Sequence, residues 1–499
     1  MARLRCYHFT VRLGWSVFAW ILGAVVLAAD DPVLDRVIAH ASAHADGAAP
    51  CSFDRSAYLG ETRGLPIGVF DSGIGGLTVL EAILALDAFD NETLQPGPDG
   101  RRDFEDERFV YFGDQANMPY GNYPTRGKEG YLRERILGDA VFLLGARAWA
   151  GDGTWMEIRK PPVKAIVIAC NTATAYGLED VRAAIRAWDL HVPVMGIVEA
   201  GSRGVREGRA HGESGDAVAV LATVGTCDSG AYPKAMGRAF GLAGKAMPPV
   251  IQQGSVGLAG AIEAEPSFIC ATGRRPAVYQ GPRVGHPKAP LLPDRMATYG
   301  FTPDDVLGDA RDPGALQLNS VRAYVRYDVA TLLENHRASG VAAPIRTVVL
   351  GCTHFPLVQD EIAAAFTRLR DLEISGARPF RPLIAERIEF IDPAELLAKE
   401  LFRGLAVARL RLRHAERRAT DRDLFFISVA NPSWPGIRLA PDGSLDAEYK
   451  YGREDGVLEA EDTRAVPMRV DRLATSSTNL IQTHLPNVWK RLAPNPVPP

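Results

Sequence analysis

Cysteine is scarce in this chain, six in 499 residues, and no two are spaced C-x-x-C. Neither a disulfide scaffold nor a zinc ribbon is encoded. A Gly-Lys-Ser/Thr phosphate loop and a G-x-G-x-x-G fingerprint are also missing, which removes the common nucleotide signatures. Charge of one sign is lacking too. Lys and Arg number 56 against 60 Asp and Glu, a net charge of -4, so nothing suggests a surface that coats nucleic acid. What the chain does have is core: 46% hydrophobic against 23% charged residues excludes overall disorder.

One uncharged apolar run stands out, Leu13 to Ala29, behind Arg3, Arg5, His8 and Arg12. A basic start, an apolar middle and small residues before Asp30 predict a secretory signal cleaved after Ala28. Its 17 residues also suit an uncleaved anchor. The expected location is therefore export, periplasmic or membrane-anchored, and cytoplasmic if the signal does not function. Membrane contact is expected only through this segment. No Met lies between Met1 and Met118, so a later start would delete the motif at Asp71.

Residues 30–65 read as a polar leader. From Leu65 onward, short apolar runs alternate with helical patterns. Expected strands are Ile67–Phe70, Phe109–Phe112, Ala165–Ala169, Val192–Val198, Ala217–Thr223, Thr347–Gly351 and Ile388–Ile391. Expected helices include Leu77–Ala88, Thr174–Trp188, Val321–His336 and Gln359–Leu372. Continuous Val/Ile runs with helical crossovers predict an α/β protein with mainly parallel sheets covered on both faces. Residues 266–318 read as a structureless insertion. Beyond Pro432 the chain is turn-rich up to a helical pattern at Arg469–Leu485 that Pro486 ends.

An internal echo carries most of the functional inference. Lys164-Ala-Ile-Val-Ile-Ala-Cys170-Asn-Thr172 and Arg346-Thr-Val-Val-Leu-Gly-Cys352-Thr-His354 share one plan: basic residue, apolar strand, small residue, cysteine, polar pair. In an open α/β sheet, residues just past a strand's carboxyl end face the ligand crevice. Two such halves meeting face to face could set the thiols on opposite sides of one cleft. Inverting a stereocentre by proton transfer needs such a pair, a thiolate that takes the Cα proton and a thiol that returns one. The competing readings are a structural disulfide and inert core cysteines.

Three further segments supply polar groups. Phe70-Asp71-Ser72-Gly73-Ile74-Gly75-Gly76 ends a strand and opens a helix, where Ser72 and helix N–H groups could hold a carboxylate and Asp71 could orient a thiol. Pro119-Tyr120-Gly121 forms a turn, and Thr223 to Tyr232 ends a strand with hydroxyls.

Together Ile67–Leu80, Pro119–Gly121, Ala169–Ala173 and Leu350–Leu357 resemble the glutamate racemase family, cofactor-independent enzymes of the aspartate/glutamate racemase superfamily. The likeness covers roughly residues 66–265 and 318–430, motifs in the family's order. It implies two similar α/β domains, with the active site in the cleft between them and neither pyridoxal phosphate nor metal. The first would be 66–200 with a return at about 385–432, the second 201–384 with the insertion, and 433–499 a C-terminal extension.

The resemblance implies Cys170 and Cys352 as the catalytic pair, Asp71 assisting the first and His354 the second. It implies that Asp71, Ser72, Tyr120, Gly121, Asn171, Thr172, Thr353 and His354 bind the amino acid, with Thr226 near it. Glu263 stands near the family's assisting glutamate, but Gln253 to Ile262 depart from that pattern and a surface helix carboxylate explains Glu263 equally well. The implied partner is L- or D-glutamate, with room for a homodimer, and the implied role is supplying D-glutamate for peptidoglycan. Length, insertion, extension and exported start all depart from typical members. Outside the cell, two facing thiols would be exposed to oxidation. Alternatives are an exported racemase for aspartate or another amino acid, and a non-catalytic amino-acid-binding protein on the same scaffold.

Overall fold

The computed structural model describes residues 31–151, 155–208, 215–270, 279–309, 312–412, 414 and 422–492. The proposed signal at 1–29 lies outside them. Two sheets organise these residues. The strands are β1 (Ile67–Asp71), β2 (Phe109–Gly113), β3 (Ala165–Ile168), β4 (Val194–Gly196), β5 (Ala217–Thr223), β6 (Val250–Ser255), β7 (Ile345–Gly351), β8 (Ile384–Ile391), β9 (Leu424–Ala430) and β10 (Thr463–Pro467).

The first sheet runs β10-β9-β2-β1-β3-β4, parallel except for the antiparallel edge β10. The second runs β8-β7-β5-β6 and is parallel throughout. Strands β1, β2 and β3 are buried on both faces, which is why they read as unbroken Val/Ile/Phe runs rather than alternating ones.

Three apolar layers hold the molecule together. Ile67, Val69 and Val167 of the first sheet share a layer with Val218, Val220 and Val349 of the second, filled by helices Leu77–Ala85, Ile197–Gly208, Ala231–Leu242 and Pro393–Val407. Phe70, Val110 and Ile168 face outward onto helices Glu129–Leu144 and Asn171–Ala187 and the leader helix Pro32–Ala43. Ala219, Leu221 and Leu350 face helices Val321–Ser339 and Gln359–Asp371. Burying each large side chain is worth about 1.5–3 kcal/mol, so a single shared layer joins the two sheets firmly.

Several expectations need correction. Val192–Val198 is a strand only at Val194–Gly196, and a helix starts at Ile197. The apolar run continues because that helix turns Ile197, Val198, Ala200 and Val205 inward, and short apolar runs do not tell helix from strand. Strand Ile384–Ile391 pairs with β7 in the second sheet, so the return to the first sheet begins only at β9, inside the expected 385–432, and β10 carries it on into the extension. The extension therefore completes the first sheet. The described residues of 266–318 are not structureless: Leu291, Tyr299, Val306, Leu316 and Leu318 join the outer core of the second sheet, and buried Asp305 accepts from Arg322 and Arg326. Pro486 ends one helix, Thr475–His484, and opens another, Pro486–Leu492, as suits proline at a first helical position.

Candidate active site

Strand order decides which motifs meet. Adjacent β1 and β3 put Asp71 and Cys170 at the carboxyl edge of the first sheet, since Phe70 pairs with Ile168. In the second sheet Gly351 pairs with Ala222, which sets Cys352 beside Thr223. The edges touch. A Cβ on Gly75 would lie 2.2 Å from His354 Cε1 and 2.7 Å from Thr353 Oγ1, and Thr78 Oγ1 donates to the Thr353 carbonyl at 2.9 Å. Glycine at position 75 is what lets the loop after β1 press against the Cys352 turn.

On the first side, Cys170 caps helix Asn171–Ala187 and its sulfur accepts from the Ala173 N–H at 3.4 Å, with Ser72 Oγ 3.6 Å away. Burial and then the Asp71 charge push this thiol up to about 12, against the Ala173 and Ser72 contacts. It rests protonated. Asp71 is 2% exposed; one oxygen accepts from Gly73 and Gly76 N–H at 3.2 and 3.0 Å, and Oδ1 is buried without a partner. Burial raises its carboxyl to about 6, with Glu263 adding and His354 and the two N–H groups opposing.

On the second side, Cys352 Sγ lies 3.7 Å from His354 Nδ1, and His354 Nε2 is 2.6 Å from Glu263 Oε1. Burial works against the imidazolium, yet the bonds to Cys352 and Glu263 and their charges hold His354 well above the usual histidine range. An imidazolium beside a thiol is the partner a thiolate base needs. Glu263 is buried, so the surface-carboxylate alternative is removed. Its neighbour Glu265 is pushed up to about 7 by burial and Glu263, while Lys450 and His354 pull it down.

Polar groups line the seam. Thr172, Thr223 and Thr226 form a hydroxyl triangle with edges of 3.0 to 3.2 Å. Asn171 Oδ1 accepts from Tyr232 at 2.7 Å, and its Nδ2 is buried without a partner. Thr353 is also buried here. A Cβ on Gly225 would lie 2.9 Å from Gly121 Cα, so the Pro119–Gly121 turn reaches the second half. The Tyr120 hydroxyl is engaged by Asp114 at 2.5 Å or Asp139 at 2.7 Å, to which it donates, so what this turn offers a ligand is its backbone. Burial and the Asp114 charge raise Asp139 far above a normal carboxyl, against the Tyr120 hydrogen bond. Nothing in the sequence singles out Glu265 or Lys450, because neither sits in a motif.

Residues 145–275 match the family described as Asp/Glu/Hydantoin racemase. The chain is 36% identical to a glutamate racemase of Thermus thermophilus over 189 residues, 38% of this chain and 55% of that protein. It is 27% identical to the glutamate racemase of Ralstonia nicotianae over 345 residues, 69% of this chain and 79% of that one. The first match thus spans little more than half of its relative. A solved glutamate racemase isoform from Bacillus anthracis aligns at 21% identity and a TM-score of 0.40, over 73% of this chain and 87% of that one. The chain carries an Asp/Glu/hydantoin racemase segment and is similar to glutamate racemases.

Proposed function

We propose that this chain is an amino-acid racemase that interconverts L- and D-glutamate by two-base proton transfer between Cys170 and Cys352. What supports it is one arrangement: each cysteine ends a parallel strand, each has its own proton-handling partners, Asp71 with Ser72 and His354 with Glu263, and the two sets are in contact through Gly75 and His354.

The chemistry balances without an outside reagent. One sulfur, as thiolate, takes the Cα proton; the Cα–H electron pair stays on carbon; the opposite thiol donates its proton to the other face and is left as thiolate. Cys352 lies beside the imidazolium, the partner a thiolate base needs, and Cys170, which rests protonated, is set to donate. The reverse reaction requires the sulfurs to exchange roles, and Asp71, held near neutrality, is suited to relay the Cys170 proton. Asn171, the threonine triangle, Ser72, Thr353 and the Tyr120–Gly121 backbone would bind the amino acid. The D-glutamate formed would supply peptidoglycan, and the N-terminal segment would direct export.

The test is L-glutamate with the reduced protein in D2O, following Cα deuterium by proton NMR together with optical rotation. Exchange with loss of rotation, absent in Cys170→Ala and Cys352→Ala, is expected. Exchange only with another amino acid would reassign the substrate, and no exchange with any amino acid in folded, reduced protein would leave a binding protein.

A further inference from the structure

The C-terminal extension does more than close a sheet. Its short helix Ala447–Gly452 is capped by Asp446 and tied to the turn that borders the cleft. Tyr451 stacks edge-on against Tyr123 at 5.0 Å and its hydroxyl accepts from Asn122 at 3.1 Å. Arg453 donates to Asp462 at 2.9 Å, to the Tyr123 hydroxyl at 3.2 Å and to Asn117. The Gly456 N–H donates to Glu134 at 2.6 Å. This helix is fixed on the turn.

Lys450 is the side chain that this scaffold delivers. Its Nζ donates to the Met118 carbonyl at 2.7 Å. Met118 in turn borders the Asp71–Ser72 loop, since a Cβ on Gly73 would lie 2.6 Å from its sulfur. Among the described residues, no carboxylate lies within ion-pair distance of Lys450. The ammonium is half-buried, with one acceptor engaged and two hydrogens to spare. A sheltered cation without a bonded anion favours an incoming one. The turn that holds the ammonium continues to Gly121, which packs against Gly225 of the second half, so Lys450 sits at the rim where the two halves meet.

We propose that Lys450 is a specificity residue of the cleft: its spare hydrogens receive the side-chain carboxylate of an acidic amino acid, with the Met118 carbonyl fixing the Nζ. The inference rests on the racemase reading for the identity of the ligand but not for the binding itself. Glu265, titrating near neutrality, can take a proton as that carboxylate arrives, so the site need not gather an extra negative charge.

The test uses the full reduced chain and its Lys450→Gln, Lys450→Arg and Lys450→Gln/Glu265→Gln variants. D-glutamate and its neutral isostere D-glutamine are titrated by tryptophan fluorescence, and KM and kcat are measured with L-glutamate. Losing one charge-assisted contact should weaken glutamate about tenfold to a hundredfold, seen in KM rather than kcat. Glutamine should change less than about threefold, and arginine should restore most of the loss. Equal loss for both ligands would mean a loosened turn and would overturn the proposal, as would no loss for either. Disappearance of the loss once Glu265 is neutralised would also overturn it, since Lys450 would then only tether Glu265. Discrimination by Lys450 without any racemisation would uphold this inference and sink the racemase reading; racemisation without discrimination would do the reverse.

Discussion

Replacing Glu263 by glutamine keeps the shape of the contact to His354 and removes its charge. Both side chains are almost fully buried and 2.6 Å apart, so solvent screening is slight. A buried hydrogen bond to a charged group is worth roughly 1.5–3 kcal/mol, and losing the Glu263 charge lets the raised His354 pKa fall. If imidazolium at Cys352 is required, racemisation should drop about tenfold to 150-fold, since each 1.36 kcal/mol is tenfold in rate. The alkaline limb of the rate profile should move to lower pH. Because the two enantiomers have equal energy, kcat/KM must fall equally from both sides. Deuterium exchange need not: the enantiomer whose Cα hydrogen faces Cys170 should still exchange without inversion, and its mirror image should lose exchange. Stability follows with a definite sign. His354 is raised above its unfolded value, so its contribution is complete below about pH 6.5 and fades as pH climbs through the folded value. Glu263→Gln should therefore be most destabilised, relative to the parent, at pH 6 and least in alkaline solution. A variant within threefold of wild-type rate, with an unshifted pH profile and equal exchange from both faces, would refute the relay.

Asp71→Asn should gain stability and lose activity: its carboxyl is raised from 3.8 to about 6, a penalty that grows as pH rises through that interval. At pH 8 the variant should be more stable than the parent by up to about 3 kcal/mol in urea unfolding; no gain would contradict the burial cost. Gly75→Ala should leave the circular dichroism near normal yet cut racemisation by at least about a hundredfold, since the new methyl collides with His354 and small misplacements of reacting groups are costly; an active variant would show that the two edges need not touch. Glu107→Ala should destabilise by about 3–5 kcal/mol, because Lys164, fully buried 2.6 Å away, loses its counter-charge; calorimetry reads this directly. Cell fractionation with mass spectrometry of the mature N-terminus should find the chain starting near Ala29 outside the cytoplasm, and an intact N-terminus in the cytosol would remove the export reading.

The site is more legible in the sequence than the frame around it. Cys170, Cys352, Asp71 and His354 sit at strand ends, where two-sided burial writes a continuous apolar run that announces where the crevice begins. Glu263 is ambiguous there because its role depends on a hydrogen bond across 91 positions, and no local pattern encodes that. Tyr120 shows the opposite limit: its place in the turn is readable, but its hydroxyl direction is set by Asp114 and Asp139. Strand Val250–Ser255 escapes a sequence reading because Val-Ile-Gln-Gln-Gly-Ser is only partly buried and lacks both alternation and β-branched density. Strands β9 and β10 escape it because a chain that leaves the first sheet after Gly196 and returns only at Leu424 gives no sequence sign of which edge it rejoins.

That late return has a consequence for synthesis. Strand Phe109–Gly113 emerges from the ribosome early, but its neighbour Leu424–Ala430 comes only after the whole of the second sheet. At about 5–20 residues per second, its outer row of N–H and C=O groups stays unpaired for on the order of tens of seconds. An open, apolar edge of that kind is a template for intermolecular pairing. A truncation before residue 424 would therefore give an aggregating chain rather than a shorter enzyme, although every motif cysteine would be present. Chaperone protection, or threading across a membrane before folding, would hide the edge until its own partner arrives.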